Sequence, residues 1–203
     1  MQSLTISQTE RGSDSMSKVL IPLAEGFEEI EAVTNIDVLR RASIDVVTVS
    51  LDSLDVMGDH DIPIIADKRI DEVNIDEFDA IVLPGGMPGA ANLRDSAKVL
   101  EFVRKINDKG GLVAAICAAP MVLEAADLLE GKDATSYPGF AKEMQSCNYK
   151  EERVVKDGNI ITARGPGVAM EFALTIVEYL KDKEYADDLR DSMIVEKTKK
   201  KNK

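Results

Sequence analysis

Short apolar runs alternate with helical patterns along most of this chain, and this alternation limits the possible folds more than any other feature of the sequence. The run LVAAI at 112–116 has no polar position, and the run IDVVTVSL at 44–51 is rich in β-branched residues, which favour strands. Strands without a polar face must be covered on both sides, as they are in parallel sheets. Strand, helix, strand is also the opening unit of such a sheet. We therefore predict an α/β domain with a mostly parallel sheet and helices on both faces.

Periodicity and turn residues locate the individual elements. Asp157-Gly158 separates two apolar runs and indicates a hairpin, the sequence MGDHD indicates another, and Pro166 marks the start of the last helix. The predicted strands lie at 18–24, 44–51, 80–83 and 112–116, the hairpins at 55–67 and 153–164, and the helices at about 27–41, 96–108, 118–129 and 167–180.

Composition excludes several classes of partner. Hydrophobic residues make up 44% and charged residues 31% of the 203 residues, the balance of a soluble globular protein. No apolar run approaches the roughly 20 residues of a membrane-spanning helix, so no membrane partner is expected. The formal net charge of −12 argues against nucleic acid, whose binding needs a basic face. Two cysteines without an export signal fit a reducing cytoplasm.

The two ends of the chain differ from its body. Residues 1–16 are polar and are expected to form a disordered leader. Residues 196–203 are expected to form a solvated, lysine-rich tail. Between them we expect a single domain, 17–195, because this length suits one hydrophobic core.

Cys117 follows the run LVAAI directly, where a helical pattern begins. A residue at such a strand-to-helix junction occupies a sharp turn that lifts its side chain into the open. The N–H groups and dipole of the following helix would favour the thiolate, so a low thiol pKa is expected. Most free cysteines are simply small buried hydrophobes. The position at the junction, opposite a Pro-Gly-Gly loop, favours a nucleophile, whereas Cys147 lies in the polar sequence QSCNYK and is interpreted as incidental.

A nucleophilic cysteine usually needs a base, and this chain has a single histidine, His60. That scarcity leaves no histidine-based zinc site. Glu28 and Glu29 suit the first turn of a helix and are interpreted as doing no more than that. Glu31 projects from a largely apolar face, so its pKa should be raised, leaving an acid that donates a hydrogen bond to a thiolate. A surface glutamate is the alternative.

Four motifs together resemble the DJ-1/ThiJ/PfpI superfamily, in its DJ-1 branch. They are LIPLAEGFEEIEAV, VLPGGMPGAANL, AAICAAP and TARGPG, and they occur in the family's order over about residues 18–195. The resemblance implies a flavodoxin-like three-layer sandwich, a homodimer, and a reactive cysteine on a nucleophile elbow.

The resemblance also implies roles for individual residues. Cys117 matches the reactive cysteine and Glu31 the acidic residue that hydrogen-bonds it. Gly86 and Ala118 match positions whose N–H groups form an oxyanion hole. The remaining substrate-binding candidates are Gly85, Tyr137, Arg164, Gly165 and Pro166, the last three in the segment that closes the pocket from the far side.

Three positions depart from the family pattern. Tyr137 in SYPGF stands where family members often carry histidine, and the protease-like and amidotransferase-like activities of the family, which depend on that histidine, are in doubt. The Tyr137 side chain either donates a hydrogen bond to substrate or fills the pocket wall. His60 falls near a position where relatives place an arginine that reaches the partner subunit's pocket; an exposed hairpin histidine is the alternative. Met87 stands where some relatives have asparagine, which makes that wall more apolar and more oxidisable.

Two functions are consistent with this sequence. The first is a cofactor-independent, metal-free glyoxalase III or deglycase-type enzyme, which converts methylglyoxal, glyoxal or their early adducts to hydroxy acids through Cys117. The second is a redox-sensing or chaperone protein that responds to oxidative stress by oxidation of the same cysteine. Both need an activated sulfur, so the sequence does not separate them.

Overall fold

The computed structural model describes residues 17–196. The predicted leader at 1–16 and nearly all of the predicted tail lie outside the described residues, and the domain bounds remain a prediction. The strands are β1 (Lys18–Leu23), β2 (Asp45–Ser50), β3 (Asp55–Met57), β4 (Pro63–Ile65), β5 (Lys68–Arg69), β6 (Ala80–Leu83), β7 (Leu112–Ile116), β8 (Asp133–Ala134), β9 (Asn148–Tyr149), β10 (Val154–Asp157) and β11 (Ile160–Ala163). The helices are α1 (Glu29–Arg41), α2 (Gly89–Asp95), α3 (Ala97–Asp108), α4 (Pro120–Ala125), α5 (Ala169–Leu180) and α6 (Lys183–Ser192).

The central sheet has seven strands in the order β10-β11-β7-β6-β1-β2-β5. Every pair is parallel except β10 with β11, which form the hairpin predicted around Asp157-Gly158. The pair β3 and β4 forms the second predicted hairpin, outside the sheet. The strand order reverses at β1, with β2 on one side and β6 on the other. Ligands of open parallel sheets bind at such a reversal, beyond the carboxyl ends of the strands.

Helices cover both faces of the sheet, as predicted. One apolar layer joins the sheet to α1, α5 and α6 and includes Leu39, Phe172 and Ile176. The other joins it to α2, α3 and α4 and includes Leu93, Phe102 and Val122. The inner strands β1, β6, β7 and β11 are almost wholly buried between these layers, which explains their lack of a polar face. No helix within residues 17–196 is both long and apolar enough to cross a bilayer.

The helix after Cys117 is shorter than predicted. α4 begins at Pro120, after a turn, and ends at Ala125 rather than near Leu129. Proline suits the first position of a helix because its missing N–H has no intrahelical partner there. The left-handed backbone at Asp127, with φ of 61°, takes the chain out of the helix. The sequence prediction also missed α2, α6 and the three two-residue strands.

Candidate active site

Cys117 occupies a sharp turn at the carboxyl end of β7. Its φ is 65°, a left-handed conformation that non-glycine residues rarely adopt. The backbone on both sides is held: the Cys117 N–H donates to the carbonyl of Ala163 over 2.9 Å, and the Cys117 carbonyl accepts from the Tyr137 N–H over 2.8 Å. Backbone strain of this kind occurs most often at functional sites. The side chain is half-buried, so the structure contains the turn that the sequence predicted.

Glu31 lies on the first turn of α1 and is completely buried. Its Oε2 accepts a hydrogen bond of 2.8 Å from the N–H of Gly85, in the loop after β6. Its backbone N–H donates to Oε2 of Glu28, which caps the helix, over 2.6 Å. Oε1 of Glu31 has no hydrogen-bond partner of good geometry among the described residues. A proton on this carboxyl group therefore belongs on Oε1.

Gly85 brings Glu31 and Cys117 together because it has no side chain. A Cβ atom built there would lie 2.7 Å from both Cys117 Cβ and Glu31 Oε2, closer than any such contact allows. The next residue, Gly86, has a φ of 90°, and a Cβ there would lie 2.4 Å from the backbone nitrogen of Glu28. The N–H groups of Gly86 and Ala118 point at the Cys117 sulfur and favour its charged form.

Burial is the largest influence on the pKa values of Glu31 and Cys117. It raises the pKa of the Glu31 carboxyl to about 7, a rise that the Glu28 charge reinforces and the Gly85 N–H opposes. Burial, followed by the charge and hydrogen bonding of Glu31, raises the pKa of the Cys117 thiol to about 12, against the N–H groups of Ala118 and Gly86.

The expectation of a low thiol pKa was therefore wrong in direction. The helix that was meant to lower it is short and begins three residues later, and an ionised carboxylate beside the sulfur opposes a second negative charge. The pair holds one proton between two groups over a broad range of pH. A thiolate forms most easily when that proton moves to Glu31.

The far wall of the site contains Tyr137 and Gly165. A Cβ at Gly165 would lie 4.0 Å from the Cys117 sulfur and 3.4 Å from Cδ2 of Tyr137, a residue that is 49% exposed. The Arg164 guanidinium donates to the carbonyl of Glu151 over 3.0 Å. Pro166 follows Gly165 and begins a short 3₁₀ helix, Pro166–Val168. The TARGPG segment thus presents backbone rather than a charged side chain to the sulfur.

His60 and Glu29 form a pair that the sequence did not indicate. Glu29 is buried, and it accepts from the His60 N–H over 2.6 Å and bonds the His60 Nδ1 over 2.9 Å. The hydrogen bond that the His60 ring donates to the Glu29 carboxylate raises the pKa of His60. Glu29 therefore holds the β3–β4 hairpin against α1, and the interpretation of Glu29 as only a helix-dipole residue was wrong. No local pattern signals it, because the partners lie 31 residues apart.

The Glu29–His60 pair extends to Glu28. One possible metal-ligand atom from each of these three residues lies within 4.8 Å of the others. The two carboxylates are already engaged, one by the cap of α1 and the other by the hairpin. These bonds account for the cluster as part of the scaffold.

Comparisons with known proteins agree with this geometry. A model of the DJ-1/PfpI family matches residues 17–179. Protein DJ-1 homolog B of Arabidopsis thaliana is 42% identical over 197 residues, which cover 96% of this chain and 44% of that protein. Protein dj-1beta of Drosophila melanogaster is 43% identical over 184 residues, covering 89% of this chain and 98% of that protein. The chain thus spans about half the length of its Arabidopsis relatives.

A solved structure shares the fold. Oxidised DJ-1 from Toxoplasma gondii has a TM-score of 0.85 and 41% sequence identity, covering 88% of this chain and 98% of that one. The flavodoxin-like sandwich is therefore confirmed. An archaeal relative, a protein of Pyrococcus abyssi named deglycase, is 34% identical over 166 residues, which cover 81% of this chain and 99% of that protein.

Proposed function

The chain belongs to the DJ-1/PfpI family, and from that premise we propose that it is a cysteine-dependent enzyme of the glyoxalase III or deglycase type. Its substrates are small dicarbonyls such as methylglyoxal and glyoxal, or their early adducts, and its products are hydroxy acids. The name of the archaeal relative supports deglycation as the general chemistry.

One observation carries this proposal: a buried carboxyl group lies beside a strained cysteine and hydrogen-bonds its side chain. The pKa of the Glu31 carboxyl, about 7, allows it to gain and lose a proton near neutrality beside the sulfur. The N–H groups of Gly86 and Ala118 converge on the same sulfur. A nucleophile, a proton carrier and two backbone donors therefore occupy one small region, as acyl and aldehyde chemistry requires.

The reaction begins when the Cys117 proton moves to Glu31, which leaves a thiolate and a neutral acid. The thiolate attacks the aldehyde carbon of methylglyoxal and forms a carbon–sulfur bond. The carbonyl oxygen becomes an oxyanion, which the N–H groups of Gly86 and Ala118 stabilise. Transfer of the Glu31 proton to this oxygen completes a hemithioacetal.

The same carboxylate then removes the hydrogen from the former aldehyde carbon, and the electron pair moves to the neighbouring ketone through an enediol. Return of the proton to the second carbon gives a lactoyl thioester. One water molecule cleaves the carbon–sulfur bond, lactate leaves, and the Cys117 thiol is restored. This sequence uses no metal and no organic cofactor, and it needs a carboxyl group whose pKa lies near 7.

Lactate production from methylglyoxal tests the proposal. The Cys117→Ser protein should lose at least about a thousandfold in rate, because serine is a far weaker nucleophile without a strong base. Cys147→Ser removes the other cysteine and should keep the rate within about twofold. Equal rates for native and Cys117→Ser proteins would refute the mechanism.

A redox-sensing role is the second candidate, supported by the oxidised state of the Toxoplasma relative. In this role the Cys117 thiolate attacks a peroxide oxygen, and water leaves to give a sulfenic acid; a second peroxide gives the sulfinic acid, to which Glu31 donates a hydrogen bond. Mass spectrometry after mild peroxide treatment should show oxidation at Cys117 before Cys147. The reverse order would count against a sensor.

The homodimer and the cytoplasmic location belong to the same proposal. Apolar side chains are exposed on α1 and on the β3–β4 hairpin, namely Ile30, Val33, Met57, Ile62 and Ile65. A second copy would bury them and would bring His60, on the same hairpin, towards a partner. Sedimentation should show a dimer that Ile65→Lys weakens; a monomeric native protein would contradict this. The free thiols suit a reducing compartment.

A further inference from the structure

Glu28 is a buried carboxyl group that the proposed mechanism does not use. It is only 8% exposed, and it immediately precedes α1, the helix that carries Glu31. A short polar side chain such as that of serine or aspartate is enough to cap a helix. Burial of a charged carboxylate is unfavourable, because the charge loses its contact with water. The cap of α1 therefore leaves the charge of Glu28 unexplained.

Three hydrogen bonds join Glu28, Glu31 and Gly85 in a closed ring. Oε2 of Glu28 accepts from the Glu31 N–H over 2.6 Å, and the Glu28 N–H donates to the Gly85 carbonyl over 2.9 Å. The Gly85 N–H closes the ring by donating to Oε2 of Glu31 over 2.8 Å. The ring holds both carboxyl groups at the start of α1. Because both are buried, salt and water screen the interaction between them only weakly.

The Glu28 carboxyl ionises before that of Glu31. Burial raises the pKa of Glu28, but the N–H groups of Glu31 and Ile30 favour its charged form. Glu31 is more deeply buried, and it accepts a backbone hydrogen bond from Gly85 alone among the described residues. A charged Glu28 is thus in place when Glu31 titrates near pH 7, and this charge adds to the rise in the pKa of Glu31.

Other ionisable groups face the two carboxyl groups from three elements. Glu29, on α1, raises the pKa of Glu28, whereas His60, in the β3–β4 hairpin, lowers it. These two residues are bonded to each other over 2.9 Å, so their opposite effects on Glu28 partly cancel. Cys117, at the end of β7, faces Glu31 instead. Glu28 is therefore the source of the carboxylate charge that acts on Glu31.

We propose that Glu28 is a positioning residue, whose charge holds the proton of the Glu31–Cys117 pair on Glu31 and so sets the amount of Cys117 thiolate. This inference rests on the proposed function, because the proton is the one that Glu31 takes from Cys117. A proton left on Cys117 places two carboxylates side by side at the start of α1. A proton on Glu31 moves the second negative charge to the sulfur, so a charged Glu28 favours that arrangement.

The pH dependence of Cys117 alkylation by iodoacetamide tests the proposal, because the thiolate is the form that reacts. Mass spectrometry of the Cys117 peptide gives the rate. In native protein this rate should rise to a plateau near pH 7, as the pair loses the first of its two protons. Glu28→Gln keeps an oxygen that can cap α1 but removes the charge. Its rise should lie about one pH unit lower, and its plateau should be about tenfold slower.

Two further variants serve as controls. Glu28→Asp keeps the charge on a shorter side chain, and its alkylation rate should rise within about 0.3 pH units of the native value. Glu25→Gln removes the same charge from an exposed position in the loop before α1, and it should also stay within about 0.3 pH units. An unchanged rise in Glu28→Gln, or an equal shift in Glu28→Gln and either control, would overturn the proposal.

The native protein provides a test that does not depend on the folding of any variant. Carbon NMR follows the two side-chain carboxyl groups directly, and the Glu28 signal should titrate at lower pH than the Glu31 signal. The reverse order would overturn the proposal. A protein that titrates as expected but makes no lactate from methylglyoxal would contradict the proposed enzyme alone. A protein that makes lactate but shows no shift in Glu28→Gln would contradict the role of Glu28 alone.

Discussion

The two cysteines have the same chemistry and different surroundings. Burial raises the pKa of both thiols, and a carboxylate adds to the rise in each case, Glu31 beside Cys117 and Glu124 beside Cys147. At Cys147 the sulfur donates weakly to the carbonyl of Met144 over 3.5 Å. At Cys117 two N–H groups face the sulfur, and the neighbouring carboxyl group is buried with its own pKa near neutrality. What separates the two sites is a partner able to take the proton.

The most direct test of this difference between the two cysteines is to replace the neighbouring carboxylate of each in turn. Glu31→Gln should lower lactate production from methylglyoxal by about a hundredfold to a thousandfold, because the amide cannot carry a proton between atoms. Glu124→Gln makes the same change beside Cys147 and should leave the rate within about twofold. Similar rates for Glu31→Gln and native protein would remove Glu31 from the mechanism.

The second prediction concerns stability against pH. The Glu31 carboxyl binds its proton more tightly in the folded state, where its pKa is about 7, than in the unfolded state, with the ordinary value of 4.5. Stability of the native protein therefore falls as the pH rises from about 4.5 through about 7. Glu31→Gln does not titrate, so between pH 4.5 and 8 it should gain about 3 kcal/mol relative to native protein in urea unfolding.

Cys147→Ser retains the buried Glu31 and serves as the control for that measurement. Its unfolding free energy should fall with pH in parallel with the native protein. A constant difference between native protein and Glu31→Gln across this pH range would contradict the burial argument.

A third prediction compares two glycines in left-handed backbone. Gly110, with φ of 77°, has nothing within 4 Å of a Cβ, whereas a Cβ at Gly86 would meet backbone atoms at 2.4 and 2.5 Å. Gly110→Ala should cost about 1 kcal/mol of unfolding free energy, from conformation alone. Gly86→Ala should cost about 2 kcal/mol more unfolding free energy than Gly110→Ala, and it should also lower the rate of lactate production. Equal losses in chemical denaturation would show that the loop beside Cys117 adapts.

The smallest expected effect separates two tyrosines. The Tyr149 hydroxyl donates to the carbonyl of Ser136 over 3.1 Å in a half-buried setting. Tyr149→Phe should therefore cost about 1 kcal/mol of stability. Tyr137 is half-exposed beside Gly165, so Tyr137→Phe should cost less than about 0.5 kcal/mol of unfolding free energy. The variant should keep the native rate of lactate production if the ring only fills the pocket wall. A large rise in KM would instead indicate a hydrogen bond to substrate.

The sequence predicted the fold well where local pattern and burial agree. β6 and β7 match their predicted bounds, because strands covered on both sides are continuously apolar. α6 was missed although Asp182 caps it and Ala186 and Leu189 face the core. The two-residue strands are too short to leave a pattern. Their existence depends on the neighbours that they pair with.

Some features of the site were predicted from local sequence pattern, and the features that depend on tertiary contacts were not. The turn at Cys117 follows from a strand meeting a helix, and a raised Glu31 pKa follows from an apolar helix face. The direction of the thiol pKa could not be predicted, because it depends on how two ionisable groups share a buried volume. The bond between Glu29 and His60 is likewise a tertiary contact without a local signal.

The left-handed backbone at Cys117 has a consequence for how the chain can vary. Glycine would adopt that conformation without strain, so stability alone would favour glycine at this position. A cysteine at this position makes the fold less stable than glycine would, but the strained turn sets the direction in which the cysteine side chain projects. A descendant that no longer needed the sulfur would drift towards glycine at this turn, and its loss of function would be accompanied by a gain in stability.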